Sequence, residues 1–139
     1  MAERDELLAA NDAFYGALSH LDLAAMERLW HHDDWSRCVH PGWDVLVGWR
    51  SIQASFARIF EHTRWIRVIP TEVSARSLGD VGVVACTENI TSTEGDDVGV
   101  AVAQATNLFR LTEEGWKMIV HHSSPAPVNV TGAFSGTVQ

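Results

Sequence analysis

The first half of the chain repeats apolar residues with the period of an amphipathic helix. The repeating positions are Leu7, Leu8, Phe14 and Leu18, then Leu23, Met26, Leu29 and Trp30, and finally Ile52, Phe56, Ile59 and Phe60. This spacing predicts three helices, over residues 3–20, 22–32 and 50–61. Asp22 stands directly before the second repeat, where its short side chain can cap the helix.

The other segments have the composition and alternation of β-strands. Two short extended segments, 35–40 and 43–47, flank the Pro41-Gly42 turn. After residue 65, glycine-containing links separate four longer strands, which we predict at 65–77, 81–93, 98–111 and 116–123. Links this short predict an antiparallel meander. The pattern therefore predicts one α+β domain over residues 1–124, with an irregular tail at 125–139.

Several of the predicted strands are apolar on both faces. In the strand at 98–111, Val98, Val100 and Val102 alternate with alanines that face the other way. Three helices cover only one face of a sheet in a domain of this size, so the second face needs another cover. We expect an identical subunit there, which makes a homodimer, and the alternative is that the tail folds over the back of the sheet.

Composition and charge exclude several classes of partner. The chain has 18 acidic and 10 basic residues and a formal net charge of −8, the opposite of what a nucleic acid or an anionic membrane would attract. No apolar run reaches the ~20 residues of a membrane span. The first residues lack the features of a signal peptide, so we expect a cytoplasmic protein in which Cys38 and Cys86 stay reduced.

Three polar residues stand out within apolar surroundings. They are Tyr15 on the first helix, His40 on the first short strand and Asn107 between Ala105 and Phe109. A neutral imidazole can accept a proton, and a phenol and an amide can donate hydrogen bonds to a developing oxyanion. Each also has an ordinary structural interpretation as a packed and hydrogen-bonded side chain.

Metal-binding and nucleotide-binding signatures are missing from the sequence. No histidine pair has the spacing of a metal-binding helix, and no glycine-rich phosphate loop, dinucleotide fingerprint or nucleophile elbow occurs. We expect no metal and no cofactor.

Three stretches carry a resemblance to a known family. They are Asn11–Tyr15 with Leu21-Asp22-Leu23, then His40-Pro41-Gly42-Trp43, and then Thr106–Arg110 with Gly115-Trp116-Lys117 and His121–Pro125. The chain resembles the nuclear transport factor 2-like superfamily, specifically its SnoaL-like branch, and the last stretch is also similar to the association domain of calcium/calmodulin-dependent kinase II. The resemblance implies a cone-shaped α+β barrel, in which the helices and a curved sheet enclose an apolar pocket.

Ketosteroid isomerase, a member of that superfamily, suggests roles for the three polar residues. Tyr15 matches its helical tyrosine, whereas His40 stands where the isomerase has its basic Asp and Asn107 where it has a protonated Asp. The resemblance implies binding of a small, largely apolar organic molecule, with acid–base catalysis of the isomerase, dehydratase or hydrolase type. The alternative is a non-catalytic ligand-binding or assembly module, whose interior would be filled or whose polar groups would satisfy one another.

The same elements supply the predicted wall of the implied pocket. Alternation along the last strand groups His122 with Met118 and Val120 and leaves His121 on the other face, and either face can be the inner one. By similarity to the association domain we expect His122 in the pocket, with Glu88 as its partner. The predicted substrate-binding residues are Trp30, Trp43, Phe60, Glu88, Met118, Val120 and His122.

Overall fold

The computed structural model describes residues 2–128 as three helices and six strands. The helices are α1 (Ala2–Ser19), α2 (Leu23–Leu29) and α3 (Trp49–His62). The strands are β1 (Arg37–Val39), β2 (Leu46–Val47), β3 (Ile66–Leu78), β4 (Val81–Glu94), β5 (Asp97–Thr112) and β6 (Gly115–Ala126). The predicted order of elements is confirmed. In this part of the chain no helix is both long and apolar enough to cross a membrane.

All six strands form one curved sheet in the order β2-β1-β6-β5-β4-β3. The β1–β6 pair is parallel and the other four pairs are antiparallel, as expected for a mostly antiparallel sheet. The sheet is not closed, because β2 and β3 are its two edges. The cone is therefore an open, curved sheet covered by helices, and the predicted α+β fold class is confirmed.

The second helix ends earlier than its sequence pattern predicts. Asp22 caps it as expected, since its Oδ1 accepts a hydrogen bond of 3.0 Å from the amide of Ala25. The helix stops at Leu29 because Trp30 leaves it to form a β-bridge with Met118, and the amide of His31 donates to the Met118 carbonyl at 2.9 Å. Pairing with the sheet satisfies these backbone groups and ends the helix before residue 32.

One face of the sheet packs against α1 and α3 to form the core. The largest fully buried apolar side chains of these two helices are Leu7, Phe14, Ile52 and Phe56. Their partners on the strands are Val84, Cys86, Ala105, Phe109, Trp116 and Met118. The helical repeats therefore identified the core-facing stripes correctly.

A β-bulge in β6 changes which of its residues face this core. Leu108 pairs with Val120, whereas the next residue, Phe109, pairs with Met118, so Ile119 is an extra residue on β6. An extra residue shifts the alternation of side chains by one position. Trp116 and Met118 face the core before the bulge, and His121 and Ser123 face it afterwards.

The opposite face of the sheet, called here the outer face, carries exposed apolar side chains. Val98 and Val100 are 65% and 62% exposed, and Trp65 and Ile69 are 46% and 44% exposed. This confirms that the sheet presents apolar residues on both faces. Strand β6 continues to Ala126, and residues 129–139 of the predicted tail lie outside the described part of the chain.

We predict that Gly82→Ala destabilises the fold. A Cβ atom at Gly82 would lie 2.7 Å from both terminal methyl groups of Leu7, which is fully buried and has little room to move. We expect the free energy of unfolding to fall by about 1–3 kcal/mol, as for other overpacked cores, in urea denaturation. Gly99→Ala is the matched control on β5, because the nearest atoms lie 4.0 Å away. Equal stability of the two variants would contradict the prediction.

Candidate functional site

The core contains a group of buried polar side chains, called here the core polar cluster. Its members are Asn11, Tyr15, Glu88, Asn107, His121 and Ser123. They come from α1, β4, β5 and β6, and they meet where the inner face of the sheet packs against the first helix. Buried polar groups cost free energy unless they are hydrogen-bonded, and in this cluster the side chains bond mainly to one another.

Glu88 joins the two sides of the cluster. The hydroxyl of Tyr15 donates to its Oε2 at 2.7 Å, and the hydroxyl of Ser123 donates to its Oε1. Burial raises the pKa of Glu88, and these two hydroxyl donors oppose the shift because they stabilise the carboxylate. Burial also raises the pKa of Tyr15 far above its ordinary value, and the neighbouring carboxylate adds to that shift, so Tyr15 stays protonated.

Asn107 connects the helix side of the cluster to the last strand. Its Nδ2 donates to Asn11 Oδ1 at 2.9 Å and to the Tyr15 oxygen at 3.1 Å. Its Oδ1 accepts a hydrogen bond of 2.7 Å from His121 Nδ1. The structure therefore brings the predicted residues Tyr15 and Asn107 into direct contact.

The buried histidine of β6 is His121, and the assignment of His122 to the pocket was wrong. His122 is exposed on the outer face, whereas His121 is 3% exposed and its Nε2 lies 3.8 Å from Glu88 Oε2. The bulge at Ile119 is the reason, because it reverses the alternation that the sequence argument extended from Met118. Val120 moves to the outer face for the same reason, and Glu88 partners His121 instead of His122. Burial lowers the pKa of His121 to about 3.

His40 lies beside the cluster and is not hydrogen-bonded to it. Its ring centre is 6.4 Å from that of His121, and its Nε2 lies 2.9 Å from Ser55 Oγ on α3. Burial lowers the pKa of His40 to about 4; His121 adds to the shift and Glu88 opposes it. The imidazole is therefore neutral at physiological pH and can accept a proton.

The predicted substrate-binding residues differ in how deeply they are buried. Trp30 and Met118 are fully buried, and Phe60 is partly buried 5.9 Å from the ring of Phe56. Trp43 is 44% exposed and contacts the His40 ring edge-on, with ring centres 4.7 Å apart. Trp43 thus separates His40 from solvent.

Three surface cavities, of about 810, 440 and 520 Å³, are lined by no member of the core polar cluster. They lie beside α2 and the β5–β6 turn, at the start of α3, and on the outer face next to Gln104. None of the three is lined by Tyr15, His40 or Asn107. Within residues 2–128, no three His, Cys, Asp or Glu side chains are grouped so that they could hold a metal ion.

A family model for the SnoaL-like domain matches residues 7–129, which is most of the chain. The chain belongs to the SnoaL-like domain family. This SnoaL-like domain is 25% identical over 118 residues to the F-box protein SKIP8 of Arabidopsis thaliana. That match covers 85% of the chain, and the chain spans about half, 48%, of the length of that curated relative.

Two solved structures combine similar sequence with the same fold. One is a candidate dehydratase of the NTF2-like family from Streptomyces avermitilis, with 35% identity, a TM-score of 0.87, and coverage of 91% of this chain and 98% of that one. The other is a candidate calcium/calmodulin-dependent protein kinase type II association domain from Thiobacillus denitrificans, with 31% identity, a TM-score of 0.75, and coverage of 86% and 94%. The SnoaL-like domain is therefore similar both to a candidate enzyme and to a candidate assembly domain.

We predict that His40 makes the SnoaL-like domain less stable in acid. Because burial lowers its pKa from 6.5 to about 4, the unfolded chain binds a proton in this pH range that the folded chain does not. The free energy of unfolding should therefore fall as the pH is lowered from 6.5 to 4, with about 3 kcal/mol of the fall due to His40.

The measurement is urea unfolding over this pH range for the wild type and for His40→Gln, which does not titrate. His121 contributes with the same sign and Glu88 with the opposite sign, so the comparison between variants isolates His40. His62→Gln is the matched control because His62 is exposed at the end of α3. The pH dependence should be shallower in His40→Gln alone, and identical curves for both variants would show that His40 is not held neutral.

Proposed function

We propose that this SnoaL-like domain binds a small, largely apolar organic molecule between His40 and the core polar cluster and transfers a proton to and from it. The observation that carries the proposal is the concentration of ionisable groups in the core. Glu88, His121 and Tyr15 are each at most 3% exposed, and His40 is 6% exposed. The pKa values of all four are displaced from their ordinary values.

Burying ionisable side chains lowers the stability of the fold, so it is not expected of residues that only fill the core. A buried carboxylate loses several kcal/mol of hydration, and an apolar side chain of the same size often stabilises a core equally well. Strongly displaced pKa values are concentrated at functional sites for that reason. The buried Nδ2 of Asn11 also has no hydrogen-bond partner among the described residues, so its two hydrogens are available to the oxygen of a ligand.

The residues suggest a division of roles in a dehydration. Neutral His40 removes a proton from the carbon next to a carbonyl group, and the electron pair moves into that carbonyl as an enolate. Tyr15 and Asn107 donate hydrogen bonds to the enolate oxygen. The enolate electron pair then forms the carbon–carbon double bond as the bond to the β-hydroxyl breaks. Protonated Glu88, a form that its raised pKa favours, gives this hydroxyl the proton with which it leaves as water. The proton taken up by His40 then passes to Glu88, which restores both groups. The similarity to a candidate dehydratase supports this reaction class.

The hydrogen bonds of the cluster set a condition on this chemistry. The single proton of Tyr15 is donated to Glu88, and the amide hydrogens of Asn107 are donated to Asn11 and Tyr15. A bound oxygen must therefore replace Glu88 as the acceptor for Tyr15. Protonation of Glu88 favours this exchange, because a neutral carboxyl is a weaker acceptor than a carboxylate.

An assembly module is the second candidate function. It is supported by the hydrogen bonds that satisfy most of the cluster internally, and by the similarity to a candidate association domain. In that case the cluster fixes α1 on the sheet, and the outer face carries the function through contacts with a second copy.

We predict that Tyr15 and His40 are required for turnover. The assay measures water loss from a panel of β-hydroxy ketones and 3-hydroxyacyl thioesters, and absorbance titration with 4-nitrophenol measures binding. His40→Ala should abolish turnover, and Tyr15→Phe should lower it by about 10²-fold, because one oxyanion donor is lost. His62→Ala is the exposed control. A wild-type protein that binds no 4-nitrophenol and dehydrates no member of the panel would favour the assembly module.

We further propose that the protein is a homodimer that buries the outer face. The apolar side chains at the β4–β5 end of this face, Trp65, Ile69, Val98 and Val100, are exposed in the single chain. Light scattering should show a dimer at micromolar concentration. Val100→Glu should shift it toward monomer, because two buried carboxylates would have no partner. Val45→Glu, an equally drastic change at an exposed valine next to β2, at the opposite edge of the sheet from β3, should leave the dimer intact. A stable wild-type monomer would contradict the proposal.

A further inference from the structure

We infer that Ser55 fixes the tautomer of His40, so that Nδ1 is the atom that accepts a proton. The assignment of the tautomer stands on the hydrogen bonds of α3. Its catalytic consequence rests on the proposed function, in which His40 is the base.

The backbone carbonyl of Ile52 on α3 can only accept hydrogen bonds. Ser55 Oγ lies 2.7 Å from the carbonyl oxygen of Ile52, one turn earlier in α3, and therefore donates its hydrogen to it. A serine hydroxyl has a single hydrogen, so the same oxygen can only accept from other groups. Its contact with His40 Nε2 at 2.9 Å is consequently a bond that the imidazole donates.

A neutral imidazole carries one hydrogen, and that hydrogen is then on Nε2. The lone pair is on Nδ1. Cys38 Sγ lies 3.9 Å from Nδ1 and 3.8 Å from Nε2, so the sulfur contacts both ring nitrogens at nearly equal distance and does not select one of them. Ser55 is therefore the group that decides between the two tautomers.

Two aromatic side chains and the fixed position of Ser55 hold the His40 imidazole in the orientation that bonds to Ser55. Phe56 and Trp43 contact the imidazole edge-on, with ring centres 5.0 and 4.7 Å away and interplanar angles of 88° and 72°. Ser55 is buried and held on the rigid backbone of α3. A rotation of the imidazole by 180° would break the bond to Ser55 and is opposed by both aromatic neighbours.

These contacts make Ser55 a positioning residue and not a nucleophile. Its hydrogen is donated to Ile52, so His40 does not remove it. In the proposed reaction the carbon–hydrogen bond of the ligand breaks, the proton moves to Nδ1, and the electron pair stays on the ligand as the enolate. The imidazolium that forms keeps its Nε2 hydrogen bond to Ser55, which stabilises the new charge.

The experiment measures the ¹⁵N chemical shifts of the ring nitrogens by NMR, without any ligand. A ring nitrogen that lacks a proton resonates far downfield of one that carries it, so the two tautomers are distinguished directly. We expect wild-type His40 to populate the Nε2–H form alone at pH 7. Ser55→Ala should give a mixture of both forms, and Ser55→Thr, which keeps the hydroxyl, should restore the single form. Ser51→Ala is the matched control, because Ser51 is exposed one turn earlier on the same helix.

The NMR and labelling results test the tautomer of His40, whether or not the protein has the proposed activity. A wild-type Nδ1–H form, an unchanged tautomer in Ser55→Ala, or covalent labelling of Ser55 by a fluorophosphonate would overturn it. Where turnover is measurable, Ser55→Ala should lower kcat about tenfold or more with little change in KM, and Ser55→Thr should recover it. A single Nε2–H form in a protein that turns nothing over would sustain the tautomer assignment and remove only its catalytic consequence.

Discussion

The burial of Glu88 is the constraint on which the rest of this structure depends. A carboxylate in the core is tolerated only if donors surround it, and Tyr15 and Ser123 supply them from a helix and a strand that are distant in sequence. Asn107 then bonds to Tyr15 and to His121, so the same network joins α1 to β4, β5 and β6. The polar cluster therefore fixes the helix on the sheet, and any chemistry at Glu88 has to work within the hydrogen bonds that hold the fold.

The site and the remaining surface are divided by the sheet. On the inner face, His40 lies between Trp43 and the cluster, close to solvent but covered. On the outer face, the valines at the start of β5 remain exposed in the single chain. A domain organised in this way can develop a ligand site on one face and an assembly surface on the other without conflict between them. This division suits a family in which a candidate dehydratase and a candidate association domain share the fold.

Small backbone features decide which side chains take part. The extra residue Ile119 in β6 turns His121 and Ser123 toward Glu88, and without it the alternation would place His122 there. At the other side of the site, the bond from Ser55 to the Ile52 carbonyl decides which nitrogen of His40 carries the proton. In both cases a local feature of the backbone, a bulge or a carbonyl group, determines how a nearby imidazole is placed or protonated.

Local patterns in the sequence determined the elements, and with them the fold class. Helical periodicity marked the stripes that contain Phe14 and Phe56, alternation marked the meander, and Asn107 stood out as an amide between apolar neighbours. These signals depend on residues a few positions apart, which a single sequence displays. The end of α2, the identity of the buried histidine and the pairing of Glu88 were decided by tertiary structure. They depend on a β-bridge at Trp30, a bulge at Ile119 and hydrogen bonds that span more than 70 residues between Tyr15 and Glu88, and no local pattern records such contacts.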